Sequence, residues 1–268
     1  MSSPTLDTLF PAHAAVVLDG AMGTALQARG WPAQRSSLLA NLEHPDWVAD
    51  VHAAHLDAGA ELLCTNTFAA LAPPTHEHLD AVRAGVQLAR EAAGERARVA
   101  GSVAGFDLAQ HEAQLESVVA ALVEGGVDLL LFETCNELRD ADAAFQLRAR
   151  LAPRLPCVIS ASSTDGSHAD RSRVREVIEF VRRQAERGVE AGLNCCRGPH
   201  DALRLAEEQS APVRWLKPST GLPGDRASDD VMAAFARAAR LGGARFLGGC
   251  CGADAATLLA MRVALRRV

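Results

Sequence analysis

The sequence contains no tyrosine and a single lysine, Lys217, among its 268 residues. Acidic residues outnumber lysine plus arginine by 33 to 27, which gives a net charge of −6 and argues against a nucleic-acid binder, because such proteins present a basic face. No apolar run approaches the roughly 18 residues of a membrane span, and residues 1–11 lack the features of a secretion signal. We therefore expect a cytoplasmic protein that contacts neither nucleic acid nor membrane.

Short, nearly continuous apolar runs recur along the whole chain, and a helical pattern follows each of them. Such runs are typical of parallel strands that are covered on both faces. The predicted strands are residues 14–20, 61–68, 97–103, 127–134, 156–162, 189–195, 213–219 and 244–250. Helical patterns are clearest at 79–93, 114–125, 174–187 and 254–267.

Eight such units in about 250 residues predict a (β/α)8 TIM barrel. We expect a single domain over residues 1–268, with its core at 14–267. A doubly wound sheet shows the same alternation, but the first turn, LDGAMGT (18–24), is not the GxGxxG of that fold. In either fold the functional residues should follow the carboxyl ends of the strands.

The seven cysteines are an odd number in an expected reducing compartment, so they do not predict a disulfide framework. Cys64, Cys135 and Cys157 lie in or beside apolar runs, and we expect them to be buried core residues.

Two vicinal cysteine pairs fall at strand ends instead. Cys195-Cys196 ends the sixth predicted strand and Cys250-Cys251 ends the eighth, and strands next but one in a barrel can direct side chains to a common point. Zinc suits such thiolates, since a catalytic zinc keeps three protein ligands and one open position. Core packing and a redox thiol pair are the alternatives, although the pairs lack the CxxC spacing of redox motifs.

Five motifs, in this order, resemble the homocysteine S-methyltransferase family, which includes the homocysteine-binding modules of cobalamin-dependent methionine synthase and the betaine-dependent enzymes. They are LDGAMGTALQARG (18–30), GAELLCTNTF (59–68), GVDLLLFETCNE (126–137), GLNCC (192–196) and GGCCGAD (248–254). The resemblance spans about residues 14–262 and implies a (β/α)8 barrel with a catalytic zinc held by three cysteines. The matching ligands are Cys195, Cys250 and Cys251, and Cys196 is then a neighbour.

The resemblance also implies substrate-binding residues. Glu133 matches a glutamate that binds the substrate ammonium, and Asp19 matches a second acid that contacts the substrate. The alternatives are a structural acid that partners Thr134 and, for Asp19, a helix cap. Gly20 and Ala21 precede a helix, so their backbone amides can receive a carboxylate at its positive end.

Further polar residues stand at predicted strand ends. Thr65, Asn66 and Thr67 suit the lining of a polar pocket, and Asn194 is expected to support its neighbour Cys195. For Lys217, at the end of the seventh strand, we expect a position on the exposed rim beside Pro218; a Schiff-base lysine is the alternative.

A substrate thiol that binds zinc loses its proton and becomes a positioned nucleophile. A betaine-type donor pocket would use tyrosine and tryptophan faces, and tyrosine is absent. We therefore expect zinc-dependent methyl transfer from a sulfonium donor, S-methylmethionine or S-adenosylmethionine, to the thiol of homocysteine, forming methionine. A subunit that receives its methyl from a separate carrier protein is one alternative, suggested by the short segment GSVAGFDLAQHEAQ (101–114). A non-catalytic zinc–thiolate protein that binds thiols is the other.

Overall fold

The computed structural model describes residues 4–11, 15–69, 76–108, 111–163, 167–221 and 226–268. Eight parallel strands form one sheet in the order β1-β8-β7-β6-β5-β4-β3-β2. The strands are β1 (Val16–Val17), β2 (Leu62–Cys64), β3 (Arg98–Ala104), β4 (Leu129–Glu133), β5 (Cys157–Ala161), β6 (Val189–Cys195), β7 (Trp215–Pro218) and β8 (Phe246–Leu247).

The sheet closes on itself where β1 meets β2. Leu18 forms a parallel bridge with Leu62, and the Glu61 amide donates to the Val17 carbonyl at 2.7 Å. The predicted (β/α)8 barrel is therefore confirmed, and the open doubly wound sheet is not the fold.

Helices alternate with the strands and pack around the barrel. In the described part of the chain they are α1 (Leu6–Leu9), α2 (Met22–Ala28), α3 (Ala40–Glu43), α4 (Pro45–Ala58), α5 (His76–Ala93), α6 (Glu112–Glu124), α7 (Leu138–Leu151), α8 (His168–Arg182), α9 (Pro199–Glu207), α10 (Asp229–Leu241) and α11 (Ala255–Leu265). No described helix has the length and apolarity needed to cross a membrane.

Among the described residues, the lower part of the barrel interior is a packed core. Trp215 and Phe246 fill its lower part with ring centroids 5.8 Å apart. Leu6 and Phe10, at the two ends of α1, pack beneath them and close the bottom. The open end is the one at which the strands finish, where the sequence predicted the functional residues.

The three cysteines predicted to be core residues, Cys64, Cys135 and Cys157, are all buried. Cys135 and Cys157 lie between the sheet and the helices, whereas Cys64 points into the barrel.

Candidate active site

A cavity of about 250 Å³ lies at the carboxyl ends of the strands. Ten of the site residues predicted from the sequence line it: Asp19, Gly20, Ala21, Thr65, Asn66, Glu133, Asn194, Cys195, Cys250 and Cys251. Thr67, which the sequence also suggested for the pocket lining, is fully buried and lies outside it. The fold therefore gathers into one cavity residues that are scattered over more than 230 positions of the chain.

Three thiols meet at one side of this cavity. The Sγ atoms of Cys195 and Cys250 are 2.6 Å apart, and the Sγ atom of Cys251 completes a group whose members all lie within 4.8 Å of one another. Cys195 and Cys250 are half-buried and Cys251 is exposed. The Cys196 thiol is buried and contacts the Asn194 carbonyl at 3.4 Å, away from the other three.

An unusual backbone conformation directs the Cys195 side chain. Cys195 and Cys196 have φ angles of 54° and 52°, and Thr134, directly after β4, has a φ of 68°. The left-handed region costs a residue other than glycine about 1 kcal/mol or more. Asn194 stabilises this arrangement, because its Oδ1 accepts from the Thr134 amide at 2.9 Å and from Ser160 Oγ at 2.5 Å.

Two glycines allow the loop after β8 to bring Cys250 and Cys251 inward. A Cβ atom on Gly249 would lie 2.1 Å from the Ala253 Cβ, and one on Gly248 would lie 2.6 Å from the Leu18 Cβ. The loop is fixed by the Cys250 amide, which donates to the Pro218 carbonyl at 2.8 Å. The GGCC motif therefore combines two ligand-type residues with the close approach that they require.

The chemistry of the three thiols fits a soft divalent metal. Hydrogen bonds from Cys195 and Cys250 lower the pKa of the Cys251 thiol to about 3, and the same bonding raises the pKa of Cys195. Without a metal, therefore, only Cys251 is favoured as a thiolate, because the pKa values of Cys195 and Cys250 are both raised. The group offers three sulfur donors with one side facing the cavity, which is the donor set and the open position of a catalytic zinc site.

A buried ion pair forms the floor of the cavity. Lys217 Nζ donates to Asp19 Oδ1 at 2.8 Å and contacts Cys64 Sγ at 3.3 Å, and Asp19 Oδ2 accepts from the Cys64 amide at 2.7 Å. Burial works against ionisation of both groups, but each charge stabilises the other. The pKa of Asp19 is consequently lowered and that of Lys217 is raised well above its usual value.

The prediction that Lys217 lies on the exposed rim is wrong, since only 3% of the residue is exposed. Alternation along β7 explains its position: Trp215 points into the barrel and Leu216 points towards the helices. Lys217 therefore points inward again. This period of two was visible in the sequence.

Glu133 lies at the end of β4 with one oxygen free of protein partners. Ser102 Oγ donates to Oε1 at 2.7 Å, and Oε2 has no hydrogen-bond donor among the described residues. Burial raises the pKa of Glu133, an effect that the Lys217 ammonium only partly opposes. No sequence motif indicates Ser102 as its partner.

The side chains of Thr65 and Asn66, two of the predicted polar residues, form hydrogen bonds within the protein. Thr65 Oγ1 lies 2.6 Å from Thr67 Oγ1 and accepts from the Ser102 amide at 3.1 Å. Asn66 Nδ2 donates to Asn41 Oδ1 and to the Ser37 carbonyl. These side chains consequently shape the cavity wall.

The helix-start prediction at Gly20 and Ala21 requires a correction. The Ala21 amide donates to the Ala253 carbonyl at 2.8 Å, so it is not available to a ligand carboxylate. Of the two amides that the sequence suggested, only that of Gly20 is left without a partner in the described chain.

The family model for homocysteine S-methyltransferase matches residues 16–265, nearly the whole chain. The chain belongs to this family. As a homocysteine S-methyltransferase it is an enzyme that transfers a methyl group to homocysteine.

Its relatives include Homocysteine S-methyltransferase 1 of Arabidopsis thaliana, which is 24% identical over 94% of this chain and 93% of the plant protein. Methionine synthase of Mycobacterium leprae is 28% identical over 92% of this chain, which corresponds to 24% of that much longer protein.

Solved structures show the same fold. The homocysteine methyltransferase MmuM of Escherichia coli in its metallated form superimposes with a TM-score of 0.78 at 24% identity, covering 96% of this chain and 99% of that one. Its apo form gives a TM-score of 0.77 at 26% identity, over 97% and 99% of the two chains. The methyltransferase barrel is therefore shared along its full length.

Proposed function

We propose that this enzyme transfers a methyl group from a sulfonium donor to the thiol of homocysteine, forming methionine, and that it requires zinc. One observation carries the proposal: three thiols converge within 4.8 Å on the wall of a cavity that also holds an acid suited to an amino-acid ammonium, Glu133. We propose residues 1–268 as one homocysteine-binding domain, with its core at 14–267.

Cys195, Cys250 and Cys251 would hold the metal. When bound, zinc lowers the pKa of an incoming thiol, so that the substrate sulfur is present as a thiolate at neutral pH. We do not include Cys196 among the ligands, since its thiol contacts the Asn194 carbonyl instead. Asn194 supports the site through the strand ends that it joins.

Glu133 is proposed to bind the ammonium of homocysteine through Oε2. Ser102 holds the other oxygen, which leaves a carboxylate of fixed orientation facing the cavity. An ammonium placed there would also favour the ionised form of Glu133, since a nearby positive charge offsets the effect of burial.

A pair of exposed aromatic rings supports a sulfonium donor. Phe68 lines the cavity and is 38% exposed, and Phe106, 43% exposed, meets it edge to face with ring centroids 6.1 Å apart. An aromatic face attracts a cation, and the sulfonium charge lies on the sulfur next to the transferred methyl.

The reaction balances without a further reagent. The homocysteine sulfur forms a new bond to the methyl carbon while the bond from that carbon to the donor sulfur breaks. The electron pair of the broken bond remains on the departing thioether, and the thiol proton passes to solvent. With S-methylmethionine, both products are methionine.

Zinc content and zinc-edge X-ray absorption, with and without homocysteine, test the metal centre. We expect about one zinc per chain, bound by three sulfurs and gaining a fourth when homocysteine is added. Cys250→Ala should lose zinc and turnover together. Cys196→Ser is the matched control and should retain the metal, since this thiol faces away. An enzyme without zinc after a reducing, metal-replete preparation would contradict the proposal.

Assays of methionine formation, with each candidate methyl donor tested alone, examine the source of the methyl group. Full activity with a sulfonium compound alone supports the proposal. Activity that depends on an added methyl-carrier protein would replace it with the carrier-dependent alternative. Zinc and homocysteine binding without methionine formation from any donor would indicate a non-catalytic thiol-binding protein.

A further inference from the structure

We propose that the enzyme forms a symmetric dimer in which the outer faces of α10 and α11 pack against the same faces of a second copy. The first observation is the distribution of exposed apolar side chains. Eight large apolar residues are exposed in the described chain, and three of them lie on these two helices, which are only 13 and 11 residues long. They are Leu241, Leu259 and Val263, with exposed fractions of 77%, 49% and 43%.

The outward face of α11 is unusual for a helix on the outside of a barrel. Thr257 and Arg262 are its only polar residues. Thr257 is fully buried, and Arg262 packs over Gly59, so neither makes the solvent face polar. The exposed face of α8 carries instead Arg173, Arg175, Glu176 and Glu179. A helix that is apolar on every side is normally buried on every side, and α11 therefore lacks a cover on its outer face.

A groove of about 380 Å³ lies between α10 and α11 on this face. Leu259 and Val263 line it together with three charged side chains, Asp230, Arg237 and Arg267. None of the three charged groups has an ion-pair or hydrogen-bond partner among the described residues. The two helices run in the same direction, because each packs beside the strands of a parallel barrel. Asp230 consequently marks one end of the groove, and Arg267 marks the other.

These charges make the groove complementary to itself. Asp230 and Arg237 are seven residues apart on α10, which is about 10 Å along the helix axis. A two-fold axis that crosses the helices midway between them sets Asp230 of each protomer opposite the partner's Arg237. Both contacts form together, because an isologous interface uses the same surface on both subunits. Ala233 lines the groove between these two residues, and its small side chain permits a close approach of the helices.

The size of this face predicts a modest affinity. Helices of 13 and 11 residues are about 20 and 16 Å long, so a contact confined to them lies at the small end of specific interfaces. We expect a dissociation constant on the order of micromolar. The groove shares no lining residue with the cavity at the strand ends, so monomer and dimer carry the same candidate active site.

Sedimentation equilibrium of the zinc-loaded enzyme, at about 1–200 µM to bracket the expected constant, tests the dimer. We expect the wild type to pass from monomer to dimer over this range. Leu259→Glu places a charge in the groove and should raise the dissociation constant at least about tenfold. Leu138→Glu is the matched control, since Leu138 is similarly exposed, at 43%, but lies outside the groove. It should dimerise like the wild type, and far-ultraviolet circular dichroism should show that both variants are folded.

A wild type that remains monomeric at every concentration overturns the inference and leaves the groove to a different partner. A dimer that survives Leu259→Glu, or that dissociates in Leu138→Glu, overturns it as well, because the contact then lies on another face.

An exchange of charges tests the symmetry without touching the apolar residues. Asp230→Arg faces the partner's Arg237 with a like charge, and Arg237→Asp combined with Arg267→Asp faces Asp230 with one. Each variant alone should be at least about tenfold weaker as a dimer. A mixture of the two should recover a heterodimer in native mass spectrometry, since both contacts then join opposite charges. Two variants that dimerise as well as the wild type, or a mixture that fails to associate, contradict the proposed pairing.

These measurements require no homocysteine and no methyl donor. Failure of methyl transfer therefore counts against the proposed function alone, and a monomeric but active enzyme counts against the dimer alone. Zinc content should be the same in the wild type and in Leu259→Glu, because the groove and the three clustered thiols are separate.

Discussion

At the scale of single residues, the floor of the cavity contains two charged groups whose burial costs free energy unless they are paired. Asp19 and Lys217 are both buried and joined by a 2.8 Å contact. Removal of one partner of such a pair leaves an uncompensated charge, whereas removal of both can be nearly neutral. The same pair therefore matters for folding as well as for the cavity.

Lys217→Met should lower the free energy of unfolding by about 3–5 kcal/mol. Asp19→Asn combined with Lys217→Met should recover most of that loss, because no buried charge remains unpaired. Urea unfolding of the wild type and of both variants measures the difference. A double variant no more stable than the single one would show that the pair contributes through packing and not through charge.

Glu133→Gln should raise the KM for homocysteine about 10- to 100-fold while zinc stays bound, because the amide removes the charge that attracts the ammonium. Burial raises the pKa of Glu133, so in the wild type this carboxylate becomes protonated at a higher pH than an exposed glutamate. We expect the KM to rise as the pH falls through that raised pKa, and to show no such rise in Glu133→Gln. Initial rates over a pH series check this, and loss of zinc from the variant would instead make Glu133 structural.

Site residues can be identified from the sequence where they belong to a motif. They cannot be identified where their role depends only on contacts between distant parts of the chain. The three clustered thiols and Glu133 were all identified from motifs. The expected exposed position of Lys217 is wrong, because a lone lysine beside a proline suggests the surface whereas the alternation from Trp215 places it inside the barrel. Ser102 was missed because its role depends on β3 and β4 lying side by side.

At the scale of elements, the loop after β8 depends on its glycines. Gly249→Ala would place a Cβ 2.1 Å from the Ala253 Cβ, so the loop must move and displace Cys250 and Cys251. We expect zinc affinity to fall at least about tenfold, since a ligand must be held close to its required position. Competition with a metal-binding indicator measures the affinity.

Gly242→Ala is the control for that substitution. Gly242 has a φ of −74°, and a Cβ there would meet its nearest atoms at 3.4 Å or more. Zinc affinity should remain at the wild-type value. Unchanged affinity in Gly249→Ala as well would mean that the loop absorbs the added methyl without moving the ligands.

Element order was predictable because the apolar runs are continuous and regularly spaced, but strand length was not. The predicted strands at 14–20 and 244–250 contain only two ladder residues each, Val16–Val17 and Phe246–Leu247. In the second, Gly248 and Gly249 carry the chain away from the sheet because the close approach to Leu18 and Ala253 requires them there. Apolar composition marks what is buried, not where the ladder of hydrogen bonds stops.

At the scale of the whole molecule, the packed core and the cysteine cluster are separate. Trp215, Phe246 and their neighbours fill the barrel below the cavity, and none of the three clustered thiols belongs to either large core layer. Small zinc-binding domains unfold without metal because the ion replaces a core. We therefore expect this barrel to stay folded without the ion.

Removal of the metal with a chelator should therefore abolish methyl transfer while the far-ultraviolet circular dichroism remains that of the folded barrel. Readdition of zinc under reducing conditions should restore activity. Reduction is needed because Cys195 and Cys250 lie close enough, at 2.6 Å, to react with each other when oxidised. Loss of the helical signal on chelation would mean that the cluster holds the fold together.

The closure of the barrel has a dynamic consequence. In the described chain, β1 and β2 are joined by the bridge between Leu18 and Leu62 and by the hydrogen bond from the Glu61 amide to the Val17 carbonyl. Beside them, Asp19 Oδ2 accepts a hydrogen bond from the Cys64 amide at 2.7 Å. Asp19, a side chain of the candidate active site, thus strengthens the closure of the barrel between β1 and β2. We expect a bound acceptor, which would cover Asp19, to slow hydrogen exchange of the Cys64 amide more than exchange within the β3–β4 ladder.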